Sequence, residues 1–246
     1  EAAQFAVDVI AYALGISSTE IPQAAINAPS PSQNQELELV KGAFVPNGKE
    51  LMTLFSQYQV IGYKAFAAEQ SLKELSLPQN IKKIKPKAFL DCVNLRQVTL
   101  PPTIDEIGLG AFSGCDALET ISLERNANYT VVGGMLIDKK GKALMRATRS
   151  AASKCVIPRE VTTIHSRAFE RSEIRAIVLP RNLTELARNA FLFCGKLESF
   201  EIDHHNERYT TVDGVLHSKD RKQLVRFPSG YTGVNYIIDD TVSHIT

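Results

Sequence analysis

The chain has no tryptophan among its 246 residues, a formal charge of only +1, and four cysteines with no C-x-x-C pair. It also has no apolar run of the roughly 18–20 residues needed to span a bilayer as a helix. Each absence removes a class of function. Lack of tryptophan counts against an aromatic platform for stacking sugars. With 28 basic residues against 27 acidic ones, no global field favours nucleic acid or an anionic membrane. The cysteine spacing does not suit zinc. No nucleophile elbow, H-E-x-x-H pair, phosphate-binding loop or dinucleotide fingerprint occurs, so no enzyme, cofactor or metal is expected. The first residue is Glu1 rather than Met, which fits a processed or excised product, and no basic n-region or cleavage site precedes the body of the chain. Composition is otherwise ordinary, 44% hydrophobic and 22% charged.

What is present is a repeat. The phrase Ile-x-x-x-Ala-Phe occurs at Ile61–Phe66, Ile84–Phe89, Ile107–Phe112 and Ile164–Phe169, and with leucine at Leu186–Phe191. The leading residues are separated by 23, 23, 57 and 22 positions. A fixed step of this length marks a solenoid, in which one rung cannot bury its apolar face without neighbours. After each Ala-Phe come apolar residues in the spacing L-x-x-L-x-L: Leu72, Leu75, Leu77; Leu95, Val98, Leu100; Leu118, Ile121, Leu123; Ile174, Ile177, Leu179; Leu197, Phe200, Ile202. The final period of two predicts a short strand. Proline follows at Pro78, Pro101, Pro158 and Pro180, where it removes an N–H and turns the chain. Alanine allows close approach of rungs, and the phenylalanines are expected to stack as an interior ladder near the strand spacing of ~4.8 Å.

Two rungs carry related insertions. Asn126–Leu136 (NANYTVVGGML) aligns with Asn206–Leu216 (NERYTTVDGVL), and each continues through a polar turn into a second apolar strand. This predicts a β-hairpin projecting from each of two rungs. Before the repeats, residues 2–16 place Phe5, Val9 and Tyr12 on one helical face. Residues 17–36 carry three prolines and read as a linker or packing arm. Together they are a cap or the tail of an upstream domain. A worn first rung begins near Leu39. The sequence stops mid-rung after Ile245, where Asp239 replaces the expected proline. An open rung there would allow self-association.

The pattern L-x-x-L-x-L-P-x-x-h-x-x-I-x-x-x-A-F-x-x-C, best seen at Leu95–Cys115, resembles the BspA-type leucine-rich repeats of bacterial surface proteins. The resemblance covers about Leu39 to Thr246. It departs at Asp239, at Ser172 where cysteine is expected, and at MRATR (Met145–Arg149). It implies a leucine-rich repeat solenoid: a β-rich right-handed coil or horseshoe of parallel strands, with short turns or 3-10/helical turns at Ala-Phe. Two hairpin insertions (about 124–156 and 203–237) and a short N-terminal helix complete the expectation. The domain division is 1–36 for helix and linker or cap, and 37–246 for the repeats. The resemblance also implies a secreted or cell-surface module that binds protein without catalysis, its partner a host extracellular protein or another cell surface. A rigid spacer presenting another domain, or a glycan-binding accessory domain, is the alternative.

Since the repeating residues are accounted for as core and turn, specificity should lie in what varies. The outward strand positions Glu74, Ser76, Gln97, Thr99, Thr120, Ser122, Ala176, Val178, Ser199 and Glu201 form the candidate protein-binding face. Cys92, Cys115 and Cys194 each follow a rung phenylalanine by three residues, and with Cys155 they read as buried free thiols. Asp203, His204, His205 and His217 are the one grouping with metal-ligand character. Adjacent histidines on a strand or turn point apart, so one site would not easily use both, and a solvated loop preceding the hairpin is expected instead.

Overall fold

Two short extended pieces per rung, separated by a proline turn and an Ala-Phe turn, generate two columns of parallel strands. The computed structural model describes residues 38–39, 58–149 and 151–246. The expected N-terminal helix and linker, and most of the worn first rung, lie outside the described residues. The chain divides into two units, residues 1–115 and 116–246. The fold is a leucine-rich repeat β-solenoid, and among the described residues no helix occurs.

In the first unit, β1 (Glu38–Leu39), β2 (Val60–Ile61), β3 (Glu74–Ser76), β4 (Lys83–Ile84), β5 (Gln97–Leu100) and β6 (Glu106–Ile107) alternate between the columns. One column is β1-β2-β4-β6 and places Leu39, Ile61, Ile84 and Ile107 in register. The other pairs β3 with β5, with Leu75 beside Val98. Ile61, Ile84, Ile107, Leu75 and Val98 are all buried, as the period-two pattern demands.

Each proline ends its strand by accepting an i+3 hydrogen bond: Pro78 from Ile81, Pro101 from Ile104, Pro158 from Val161 and Pro180 from Leu183, all at 3.1 Å. The Ala-Phe segments are successive turns, with Ala88 N–H bonded to the Lys85 carbonyl and Leu90 N–H to that of Lys87. Their backbone also bonds rung to rung, as Phe66 N–H does to the Ala88 carbonyl (2.8 Å) and Phe89 N–H to that of Ala111 (2.9 Å). A left-handed residue stands before four of the five Ala-Phe pairs, at Lys64, Lys87, Gly110 and Arg167. A second falls two residues after the phenylalanine, at Ala68, Asp91, Gly114, Arg171 and Phe193. The rung at Ile107 meets both demands with glycine. The expected ladder is present: Phe66, Phe89 and Phe112 stack at 5.2 and 5.5 Å with planes within 7°. Phe169 stacks on Phe191 at 5.2 Å in the second unit.

The second unit contains β7 (Thr120–Leu123), β8 (Tyr129–Val132), β9 (Met135–Asp138), β10 (Ala143–Ala147), β11 (Lys154–Val156), β12 (Thr163–Ile164), β13 (Ala176–Leu179), β14 (Glu185–Leu186) and β15 (Ser199–Ile202). It ends with β16 (Tyr209–Val212), β17 (Val215–Ser218), β18 (Gln223–Arg226) and β19 (His244–Ile245). The insertions contain the expected hairpins, β8–β9 and β16–β17. Gly133-Gly134 and Asp213-Gly214 form their two-residue turns, all four with positive φ, as a type I′ turn requires.

The hairpins do not simply project. A third strand folds back against each, and that strand then pairs in parallel with the next rung: Leu144 of β10 lies beside Ile164, and Leu224 of β18 beside Ile245. Leu144 and Leu224 therefore occupy the place that Ile61, Ile84 and Ile107 hold in the first unit. The rung bond follows too, since Ala147 N–H donates to the Ala168 carbonyl at 2.7 Å, as Phe169 N–H does to that of Ala190. Met135, Leu136, Ile137 and Leu144 are buried, so the insertion contributes to the core. Arg146, which precedes Ala147 where the other rungs have alanine, is buried as well. Its guanidinium donates to the Arg167 carbonyl at 3.1 Å and faces the Glu170 carboxylate at 4.0 Å.

Candidate functional site

Strand alternation places every second residue of the longer strands outside. In the first unit Glu74 lies beside Gln97, and Ser76 beside Thr99. All four are exposed and, except Glu74, uncharged. In the second unit Thr120 and Ser122 are exposed on β7, which is not part of the β11-β13-β15 sheet. In that sheet Ala176 lies beside Ser199, and Val178 beside Glu201. Ala176, Val178 and Ser199 are half-buried and Glu201 is exposed.

Two residues of this face escape the sequence pattern. Lys154 and Val156 flank the buried Cys155 on β11 and lie in register with Ala176 and Val178. Cys155 stands where other rungs have Leu75, Val98, Ile177 or Phe200, which hides the strand. Its only signal is the alternation Cys155, Ile157, Pro158. Val156 is 60% exposed although it projects from a sheet. Beside it, the Lys154 ammonium bonds both oxygens of the Glu201 carboxylate at 2.7 and 2.9 Å. Arg175 pairs with Glu198, and Glu173 pairs with Arg149 (2.8 Å) and Lys196 (3.3 Å). Exposed pairs of this kind add little stability. The Lys154–Glu201 pair joins the two outer strands across β13, next to Val156, Ala176 and Val178.

The chain matches the model of the BspA type leucine rich repeat region in six copies, over residues 40–133 and 148–234. The chain belongs to the BspA-type leucine-rich repeat family. No curated protein matches it. Among solved structures, this BspA-type chain is similar to a leucine-rich repeat protein from Eubacterium ventriosum at 21% identity and a TM-score of 0.50, covering 76% of this chain and 48% of that one. A leucine rich cell surface protein from Faecalibacterium prausnitzii is 21% identical with a TM-score of 0.49, over 59% of this chain and 52% of that one. The pneumococcal vaccine antigen PcpA is 20% identical with a TM-score of 0.43, over 77% and 47%. The chain thus spans about half the length of the solved structures it resembles.

The BspA-type cysteines are buried and free. The thiols of Cys92, Cys115 and Cys194 donate to the carbonyls of Phe66, Phe89 and Phe169, each one rung back. Burial pushes Cys155 and Cys194 up to about 11, which leaves them as unreactive thiols. Cys92 is held below the ordinary thiol value, chiefly by a hydrogen bond with Cys115, against its burial.

The histidines divide between a buried residue and the expected solvated loop. His217 is buried, and its ring nitrogens face the Val215 carbonyl (3.1 Å) and the Tyr236 hydroxyl (3.2 Å), away from any shared site. His204 and His205 lie exposed in a turn between β15 and β16, as the solvated-loop reading expects. Their rings are 3.7 Å apart instead of diverging, and both face Asp203. The divergence expected of neighbouring side chains does not hold in this turn, which brings the three residues together. No helix among the described residues is long and apolar enough to cross a membrane.

Proposed function

We propose that this BspA-type chain is a secreted or cell-surface module that binds a protein through the outward faces of its strands, without catalysis. The observation that carries the proposal is the strip of Val156, Ala176 and Val178 on a solvent-facing sheet. Folding needs the inward residues Cys155, Ile177 and Leu179, and those are buried at 2%, 0% and 0%. Nothing in the rung requires valine at the outward positions, where other strands carry Ser76, Thr99 or Ser122. Apolar side chains on an outward sheet face, mixed with charged ones such as Lys154 and Glu201, suit a protein interface. The polar set Glu74, Ser76, Gln97 and Thr99, together with Thr120 and Ser122, extends the proposed binding positions. The family's surface proteins support an extracellular setting, with a host protein or another cell as partner.

The test is capture of immobilised extracellular matrix proteins and of whole bacterial cells, with thermal unfolding measured in parallel. The double change Val156→Asp and Val178→Asp, and separately the joint replacement of Gln97, Thr99, Thr120 and Ser122 by lysine, are expected to abolish capture at an unchanged unfolding midpoint. Capture that survives both sets of changes overturns the proposed face. No capture by the unmodified chain favours a spacer.

A further inference from the structure

We propose that Asp203, His204 and His205 form a surface site for a borderline divalent transition-metal ion, for which Zn2+ is the reference. Among the described residues, these three side chains offer one ligand atom each, all within 4.8 Å of one another. Asp203 Oδ1 is 3.1 Å from His205 Nδ1 and 3.9 Å from His204 Nδ1. Metal–nitrogen and metal–oxygen bonds of about 2.0–2.2 Å set tetrahedral ligands about 3.4 Å apart. The two observed separations lie on either side of that value. All three residues are exposed, so small side-chain rotations close the difference. Two imidazoles and one carboxylate suit zinc, nickel or copper, whereas magnesium and calcium take oxygen ligands.

The turn is also built to hold its shape before any ion arrives. Asp203 Oδ1 accepts the His205 backbone N–H at 2.9 Å, and the Asp203 carbonyl accepts that of Asn206 at 2.8 Å. A carboxylate has about four lone-pair positions, so accepting this bond leaves others for a metal. Asn206 is buried, and its amide donates to the carbonyls of Arg181 and Leu183 at 2.9 Å each. The Lys219 ammonium bonds the His204 carbonyl at 2.9 Å. Little conformational freedom of the backbone remains to be lost on binding.

The first insertion shows that the ligand set is not demanded by the fold. There Asn126 does what Asn206 does: its side-chain oxygen accepts two backbone N–H groups at 2.8 Å, while Asn206 accepts two at 2.9 and 2.8 Å. Yet the three preceding residues are Leu123, Glu124 and Arg125. The loop held by Asn126 forms with no imidazole before it, so Asp-His-His is not part of what the two insertions share. With three protein ligands on an exposed turn, the remaining coordination positions take water.

Isothermal titration of the full chain with zinc chloride at neutral pH is expected to give saturable binding near one equivalent. The double variant His204→Ala/His205→Ala, and Asp203→Asn alone, should each weaken it about tenfold or more, a scale on which even outer partners of a metal act. His244→Ala, an exposed imidazole outside the cluster, should bind zinc as the parent does, and magnesium chloride should give no saturable heat. Unfolding midpoints should be the same for all variants, which separates loss of ligands from loss of fold. Zinc binding that is absent in the parent, or unchanged in the double variant, overturns the proposal.

Discussion

The thiol of Cys194 donates a hydrogen bond to the carbonyl of Phe169 at 2.8 Å, one rung behind it. Cys92 and Phe66 do the same at 3.0 Å, and Cys115 and Phe89 at 3.2 Å. The cysteine column thus adds a second hydrogen bond to a turn carbonyl that already accepts a backbone N–H, from Ser172 for Phe169, Glu69 for Phe66 and Cys92 for Phe89. Cys194→Ser keeps a donor of similar size and is expected to leave stability within about 0.5 kcal/mol of the parent, whereas Cys194→Ala should cost about 0.5–1.5 kcal/mol by removing this bond, the Phe169 carbonyl keeping the one from Ser172 N–H. Chemical denaturation of both variants checks the difference. A thiol reagent should find four reactive cysteines in denaturant and almost none in the native chain, where all four are buried.

Removing one ring of the phenylalanine ladder should be expensive. Phe112 is 2% exposed and stacked on Phe89. Phe112→Ala is expected to cost roughly 3–5 kcal/mol through the cavity it leaves. Differential scanning calorimetry reads this as a sharp fall in the unfolding midpoint. An unchanged midpoint contradicts the ladder.

The left-handed positions predict changes of opposite sign. Ala68 is exposed with φ of 63°, so Ala68→Gly should relieve a conformation that costs an L-residue about 1–2 kcal/mol, partly offset by the greater freedom of glycine when unfolded. A net gain of about 0.5–1 kcal/mol is expected. Gly114 has φ of 71°, and a Cβ there would sit 2.0 Å from Asp91 Oδ1 and 3.0 Å from Asp91 Cα. Gly114→Ala should destabilise by about 1–3 kcal/mol, combining the φ penalty with that clash. Urea unfolding of the two variants reads both signs.

Arg146 and Glu170 are each only 5% exposed and face one another, with Arg167 donating to the same carboxylate at 3.1 Å. Glu170→Ala removes the carboxylate and is expected to cost about 3 kcal/mol or more, because a buried charge loses its counter-charge. Replacing Arg146 and Glu170 together by methionine and leucine should recover most of the loss, since buried pairs exchange for apolar residues at little cost. Urea unfolding of the single and double variants tests both statements.

Ile84, Phe89, Leu100 and Pro101 were legible in the sequence because each has a counterpart 22 or 23 residues away, and periodicity is the signature of mutual burial. Leu144 and Ala147 were not. They perform the tasks of the rung isoleucine and phenylalanine, but the insertion shifts their spacing and Arg146 breaks the motif between them. Lys154 and Val156 were hidden because the residue between them is cysteine, where other rungs have Leu75, Val98, Ile177 or Phe200. The facing of His204 and His205 depends on a turn anchored by Asn206, whose buried amide contacts lie 23 to 26 residues back in the chain. No local rule of sequence reports such an anchor.

Ile61, Ile84 and Ile107 are joined to their neighbours across 23 residues, and Thr163 to Glu185 across 22. Away from the two insertions, the pairing of each new rung therefore closes a loop of nearly constant length. Since closure entropy depends on that length, each rung adds at about the same entropic cost. Folding speed should then follow the single rung rather than the whole chain, with growth outward from whichever rung forms first. Unfolding would begin at a terminal rung and travel inward, so a partner gripping the outward strands of one unit would slow that unit's loss more than the other's.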